Sequence, residues 1–163
     1  MPVSFVLDAN ALATDASGNG RVGCLVMEGD LAVELDYAFL ASWAGIQADG
    51  TLTAVGMSFL RRKQSDHSPI AVAGRIRMRS DIESAYLTIR LSPPAGGGAV
   101  LEISDRLTPS GGDAGIHDDN QRQILFALNT RLMSAALGTY DVELRLNGDM
   151  ARNLSFEVVA ETK

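Results

Sequence analysis

Six of the fourteen basic residues, Arg61, Arg62, Lys63, Arg75, Arg77 and Arg79, fall within nineteen positions, and Asp66 is the single acid among them. Clustered guanidinium and ammonium groups can capture an anion, provided the strands that carry them lie side by side and form a basic stripe. Base stacking on nucleic acid calls for interleaved aromatics, and this stretch offers only Phe59, which argues against that class of partner. The competing reading is a solvated outer face whose arginines pair across strands with Asp141, Glu143 or Glu102.

A second group of chemistry-bearing residues lies between 105 and 120. Asp105, Asp113, Asp118, Asp119 and Asn120 are oxygen ligands of the kind Ca²⁺ prefers, and glycines flank Asp113. Their spacing is not that of an EF-hand, so these residues are candidates in a Ca²⁺- or ligand-dependent alternative. His67 and His117 read as turn histidines, and the only cysteine, Cys24, is remote from both in sequence, which falls short of a zinc ligand set.

Gly18-Asn19-Gly20-Arg21-Val22-Gly23 matches a phosphate-cradling string. No strand pattern precedes it and no helix pattern follows, so the mechanism that would make it a nucleotide site is missing. No nucleophile with a placed base and no carboxylate pair in a recognisable setting occurs, so the expectation is a non-catalytic protein with no cofactor, an unrecognised hydrolase being the weakest alternative.

The elements that would position these residues read as strands. Ile70, Val72, Gly74, Ile76 and Met78 alternate with Ala71, Ala73, Arg75, Arg77 and Arg79, the period-two pattern of a half-buried strand. The same alternation runs through Ala85–Leu91 and Tyr140–Leu146, with a closing strand at Leu154, Phe156 and Val158 and a shorter one at Val100–Ser104. Ala38–Gln47 and Thr51–Arg62 are joined by Ala48-Asp49-Gly50, a hairpin signal. The segment 121–137 is open to a strand or a short helix, since Ile124, Phe126, Leu128 and Leu132 fall at even spacing while its tail is rich in helix formers. These signals predict an all-β fold, an antiparallel two-sheet β-sandwich of about seven to nine strands, immunoglobulin-like or C2-like, with at most one short helix.

The composition, 46% apolar and 21% charged over 163 residues, suits one globular unit that needs no disulfide or metal staple. A single cysteine fits a reducing compartment, the first residues lack a cationic signal-peptide head, and no apolar run is long enough to span a bilayer. The expectation is a cytoplasmic, soluble protein. Residues 1–35 hold four glycines and five acids against Arg21, a net −4, and read as an extended arm or edge strands ahead of a domain at 36–163. Met27, shortly before the first clear strand, is a physically reasonable internal start. The net charge of −6 is therefore segregated: residues 61–79 carry +5 within an otherwise acidic chain.

Tyr37-Ala38-Phe39-Leu40-Ala41-Ser42-Trp43-Ala44 followed by Asp49-Gly50-Thr51-Leu52 resembles the opening hairpin, roughly F-x-A-D-x-A then D-G-K-L, of a family of uncharacterised bacterial β-sandwich proteins known as a domain of unknown function. Leu137–Leu144 is similar to that family's G-x-Y strand and Leu154–Val159 to its closing F-x-V strand. Ser42 stands where the family has an acidic or amide residue, and Thr51 where it has lysine. The resemblance implies a sandwich over about residues 36–160 and no particular activity. The leading expectation is a binding or interaction module that meets a protein partner, another chain or its own copy, through loops or edge strands.

Overall fold

The computed structural model describes residues 32–65, 67–94, 100–109, 121–133 and 135–160. Ten strands follow in order: β1 Val33–Ala41, β2 Trp43–Ile46, β3 Leu52–Val55, β4 Arg61–Lys63, β5 His67–Arg79, β6 Ala85–Ser92, β7 Leu101–Leu107, β8 Gln121–Met133, β9 Gly138–Leu146 and β10 Asp149–Val159. They form a three-stranded sheet ordered β1-β5-β8, a five-stranded sheet ordered β4-β10-β9-β6-β7, and the two-stranded hairpin β2-β3. All neighbours are antiparallel except β4, which runs parallel to β10. The described residues contain no α-helix, and none of them forms a helix long and apolar enough to cross a membrane.

The longest pairing joins β5 to β8 without interruption from His67 opposite Met133 to Arg79 opposite Gln121. Segment 121–133 is thus a strand and not a helix: facing β5, its even-numbered residues Ile124, Phe126, Leu128 and Leu132 are buried on one face. Tertiary burial of a period-two face overrides the local helix preference of the segment's tail. The strand count exceeds the expected seven to nine because the stretch 38–62, which reads as one hairpin, is broken into four pieces. Ala38–Ala41 ends β1, Trp43–Ile46 and Leu52–Val55 make the hairpin, and Arg61–Lys63 crosses to the five-stranded sheet.

β1 begins at Val33, ahead of the boundary that the alternation suggests at 36, and the cause is a β-bulge. Val33 and Leu35 face Met78 and Ile76, the register shifts over Asp36, and from there Ala38 and Leu40 face Gly74 and Val72. One extra residue switches the inward positions from odd to even, which hides the period-two signal and leaves Asp36 beside Tyr37. The backbone presses close here. A Cβ on Gly74 would lie 2.2 Å from the Tyr37 carbonyl oxygen and 2.8 Å from Phe126 Cζ. Glycine at 74 is what lets β1 and the Phe126 ring close over β5.

One contiguous buried cluster draws on both larger sheets, with Ile70, Val72, Ile76, Met78, Phe126 and Leu128 from the three-stranded sheet and Leu87, Ile89, Val142, Leu144, Phe156 and Val158 from the five-stranded one. The other face of β5 is not simply solvated, as its alternation with arginines suggests. Ala71 and Ala73 are fully buried with Ala41 and Ala44 under the β2-β3 hairpin, which packs Leu52 and Ala54 onto them. Alanines carry too little area to announce a buried face, yet their small side chains are what allow a second layer of backbone to lie that close.

Two turns follow directly from their residues. Asn147 and Gly148, both at positive φ (51° and 92°), join β9 to β10 as a two-residue turn whose twist matches the paired strands. Ala48-Asp49-Gly50 closes the β2-β3 hairpin with Gly50 at φ 80°, a Gly50 N–H bond to the Gln47 carbonyl, and Asp49 Oδ1 accepting from both the Thr51 N–H and hydroxyl.

Candidate functional site

β4 is only three residues long, and each of them is a cation. An aromatic column anchors it: Phe59 sits edge-on to Phe156 at 5.5 Å, and Phe156 stacks on Tyr140 at 5.2 Å. Backbone bonds from Glu157 N–H to the Leu60 carbonyl and from Gln64 N–H to the Val159 carbonyl hold the strand beside β10. Parallel pairing sets Arg61, Arg62 and Lys63 opposite Glu157, Val158 and Val159.

Arg62 lies beside the buried Val158, and its guanidinium bridges to the other sheet. It lies 4.4 Å over the Phe59 ring and donates to the Pro69 carbonyl and to Ser42 Oγ. β1 ends opposite Ala71, so the described structure gives β5 no strand partner on that side at Pro69, and Arg62 satisfies the carbonyl in its place. Partial burial lowers the Arg62 pKa from its ordinary value, and the group stays cationic. Arg61 forms an ion pair with Glu157 at 2.9 Å. Among the described residues Lys63 has no ion-pair partner. Together with Ser65, Ser68 and Pro69 these three cations line an open hollow of about 390 Å³. The Ser65 and Ser68 hydroxyls share a hydrogen bond of 2.9 Å at its wall.

The structure does not bring Arg75, Arg77 and Arg79 to this hollow. β4 and β5 belong to different sheets, so the six basic residues divide into two groups rather than one stripe. The bulged Asp36 takes both Arg75, whose Nε donates at 2.5 Å, and Arg77 at 2.8 Å. Arg75 also lies over the Tyr37 ring at 5.0 Å and donates to Gln123. Arg79 grips Asp81 with two bonds of 2.9 and 3.1 Å. The acids expected as partners do not serve: Glu102 pairs with Arg90 and Glu143 with Arg145. The actual partners, Asp36 and Glu157, come from a bulge and a parallel pairing, neither of which is written in charge spacing. The signal that could have found Asp36 is the parity break between Leu35 and Ala38.

Of the candidate Ca²⁺ ligands the described residues include only Asp105. Asp105 lies in β7, and its Oδ1 accepts from the Arg106 N–H. Asp113, Asp118 and Asp119 lie outside the described residues, as do His117, Cys24, Met27 and the glycine string at 18–23. His67 is the first residue of β5 rather than part of a turn. Among the described residues, no three His, Cys, Asp or Glu converge to hold a metal ion.

An apolar surface not foreseen from sequence lies on the β2-β3 hairpin. Trp43 is cross-strand to Val55, both about half exposed, with exposed Met57 just beyond. The indole lies along its own strand, so a Cβ on Gly45 would come within 2.7 Å of Trp43 Cη2. Ser42, which receives Arg62, directly precedes Trp43 and touches the Gly56 position. The chain matches no family model and no curated protein.

Proposed function

We propose that this protein is a non-catalytic binding module, a two-sheet β-sandwich that captures an acidic segment of a partner protein in the hollow lined by Arg61, Arg62 and Lys63. The observation that carries this reading is the state of those three side chains. Phe59, the Pro69 carbonyl and Ser42 hold Arg62 in one orientation, Lys63 is uncommitted among the described residues, and Glu157 alone offsets Arg61. Arg62, already held in one orientation, loses little side-chain freedom on meeting a carboxylate, and Lys63 adds a charge that no described acid pairs with. The lining supplies positive charge and hydroxyls.

Two buried faces meeting in one cluster support the sandwich reading. Membership in the uncharacterised bacterial β-sandwich family and a cytoplasmic location belong to the same proposal, on the hairpin, strand and cysteine features of the sequence. The test is calorimetric titration of the full chain with a short poly-glutamate peptide. Binding that weakens with salt and is lost in Arg61→Glu/Lys63→Glu, but kept in Arg79→Gln, supports the reading. Binding lost equally in both variants would overturn it.

A further inference from the structure

Independently of the hollow, we propose that β8 is a pairing edge through which two copies of this chain join their three-stranded sheets. Sheet edges carry unpaired backbone N–H and C=O groups, and folded proteins usually blunt them with short strands, bulges or charges on the inward face. Every other described edge has such a device. β1 is bulged at Asp36, β4 has three residues, β2 and β3 have four each, and β7 places Asp105 on the face that Leu101, Ile103 and Leu107 otherwise fill.

β8 is blunted least, its one inward-face charge being Arg122 at one end. It runs thirteen residues in unbroken register with β5 on one side, and no described strand pairs with its other side. It contains no proline and no acid, and its two charges, Arg122 and Arg131, lie toward its ends, leaving eight uncharged residues from Gln123 to Thr130. That is the pattern of a strand built to be paired rather than left in water.

The sequence of β8 fits a second copy of itself. An antiparallel two-fold centred on Ala127 sets Phe126 opposite Leu128, Leu125 opposite Asn129, Gln123 opposite Arg131 and Arg122 opposite Leu132. No two arginines face one another, and the buried row Ile124, Phe126 and Leu128 continues across the join. The contact is isologous, so it closes as a dimer and does not propagate.

Sedimentation equilibrium of the full chain, from micromolar to near-millimolar concentration, reads this directly. The expected result is a mass rising from 17.3 kDa toward twice that value. A mass that stays monomeric throughout overturns the proposal. Gln123→Arg places like charges in two symmetric cross-strand pairs and is expected to weaken the dimer about three- to tenfold. Gln123→Arg/Arg131→Glu restores opposite charges and is expected to recover it, with thermal melts confirming that both variants fold. A dimer that Gln123→Arg leaves unchanged, or that the double variant fails to recover, uses another surface and also overturns the proposal.

Discussion

Asn129 and Ala44 hold each other by two hydrogen bonds: the Ala44 N–H donates to Asn129 Oδ1 at 3.0 Å, and Asn129 Nδ2 donates to the Ala44 carbonyl at 2.7 Å. A side-chain amide on β8 thus takes the place of a neighbouring strand for β2, and it pins the hairpin over the alanine layer. Ala44 is fully buried, so its backbone groups depend on that partner. Asn129→Leu is expected to cost about 1–3 kcal/mol, and Asn129→Asp, which keeps the acceptor and loses the donor, an intermediate amount. Urea denaturation checks both. A loss of stability in Asn129→Leu too small to resolve would mean that water replaces the amide at no cost.

Gly74→Ala is expected to destabilise by about 1–3 kcal/mol, because the added methyl meets the Tyr37 carbonyl and Ala38 Cα, which are backbone and cannot swing aside. The ordinary gain from replacing a strand glycine by alanine has the opposite sign. The direction of the shift in the urea midpoint therefore decides whether the close approach of β1 governs this position.

Asp36 neutralises two arginines from a bulge, with its side chain 17% exposed against 28% for Arg75. Asp36→Asn keeps the shape and removes the charge, and is expected to cost about 1–2 kcal/mol after allowing for the partial exposure of the pair. The double variant Asp36→Asn/Arg75→Gln should lose less than the sum of the two single changes. Strict additivity in a double-mutant cycle would show that the ion pair carries no coupling.

Acid should weaken the fold through Asp81 and Asp49. Hydrogen bonds from Arg79 hold Asp81 below its ordinary value of 3.8, and the Thr51 hydroxyl and N–H do the same for Asp49. Both carboxylates have a lower pKa folded than unfolded, so their contribution is present above pH 3.8 and disappears as pH falls through the folded value. Asp81→Asn removes one of these terms. Its stability deficit relative to the parent, followed by urea midpoints, should be full at neutral pH and shrink below pH 3.8. A deficit that stays constant through acid would contradict the assignment.

Period two and turn chemistry are strongly local, which is why the all-β class, the Asp49-Gly50 hairpin and the Asn147-Gly148 turn are legible in the residues themselves. β5, β6 and β9 announce themselves because their apolar rows meet no interruption. What is not legible depends on non-local geometry. The bulge at Asp36 erases the alternation of β1, the alanines 71 and 73 look like an indifferent outer face until a hairpin lands on them, and β4 shows only charge. The cations of the hollow were visible as a cluster. Their division into a set on β5 held by Asp36 and Asp81 and a set on β4 that lines the hollow was not, because sheet assignment decides which acids reach which arginines.

The central claim is that β4 and the start of β5 form an acidic-segment site, and amide NMR mapping tests it most directly. Titrating the ¹⁵N-labelled full chain with poly-glutamate peptide is expected to move the amides of Arg61, Arg62, Lys63, Ser65 and Ser68 most, leaving Arg75, Arg77 and Arg79 still. Shifts concentrated on the β5 arginines, around Trp43 and Val55, or nowhere at all would contradict it.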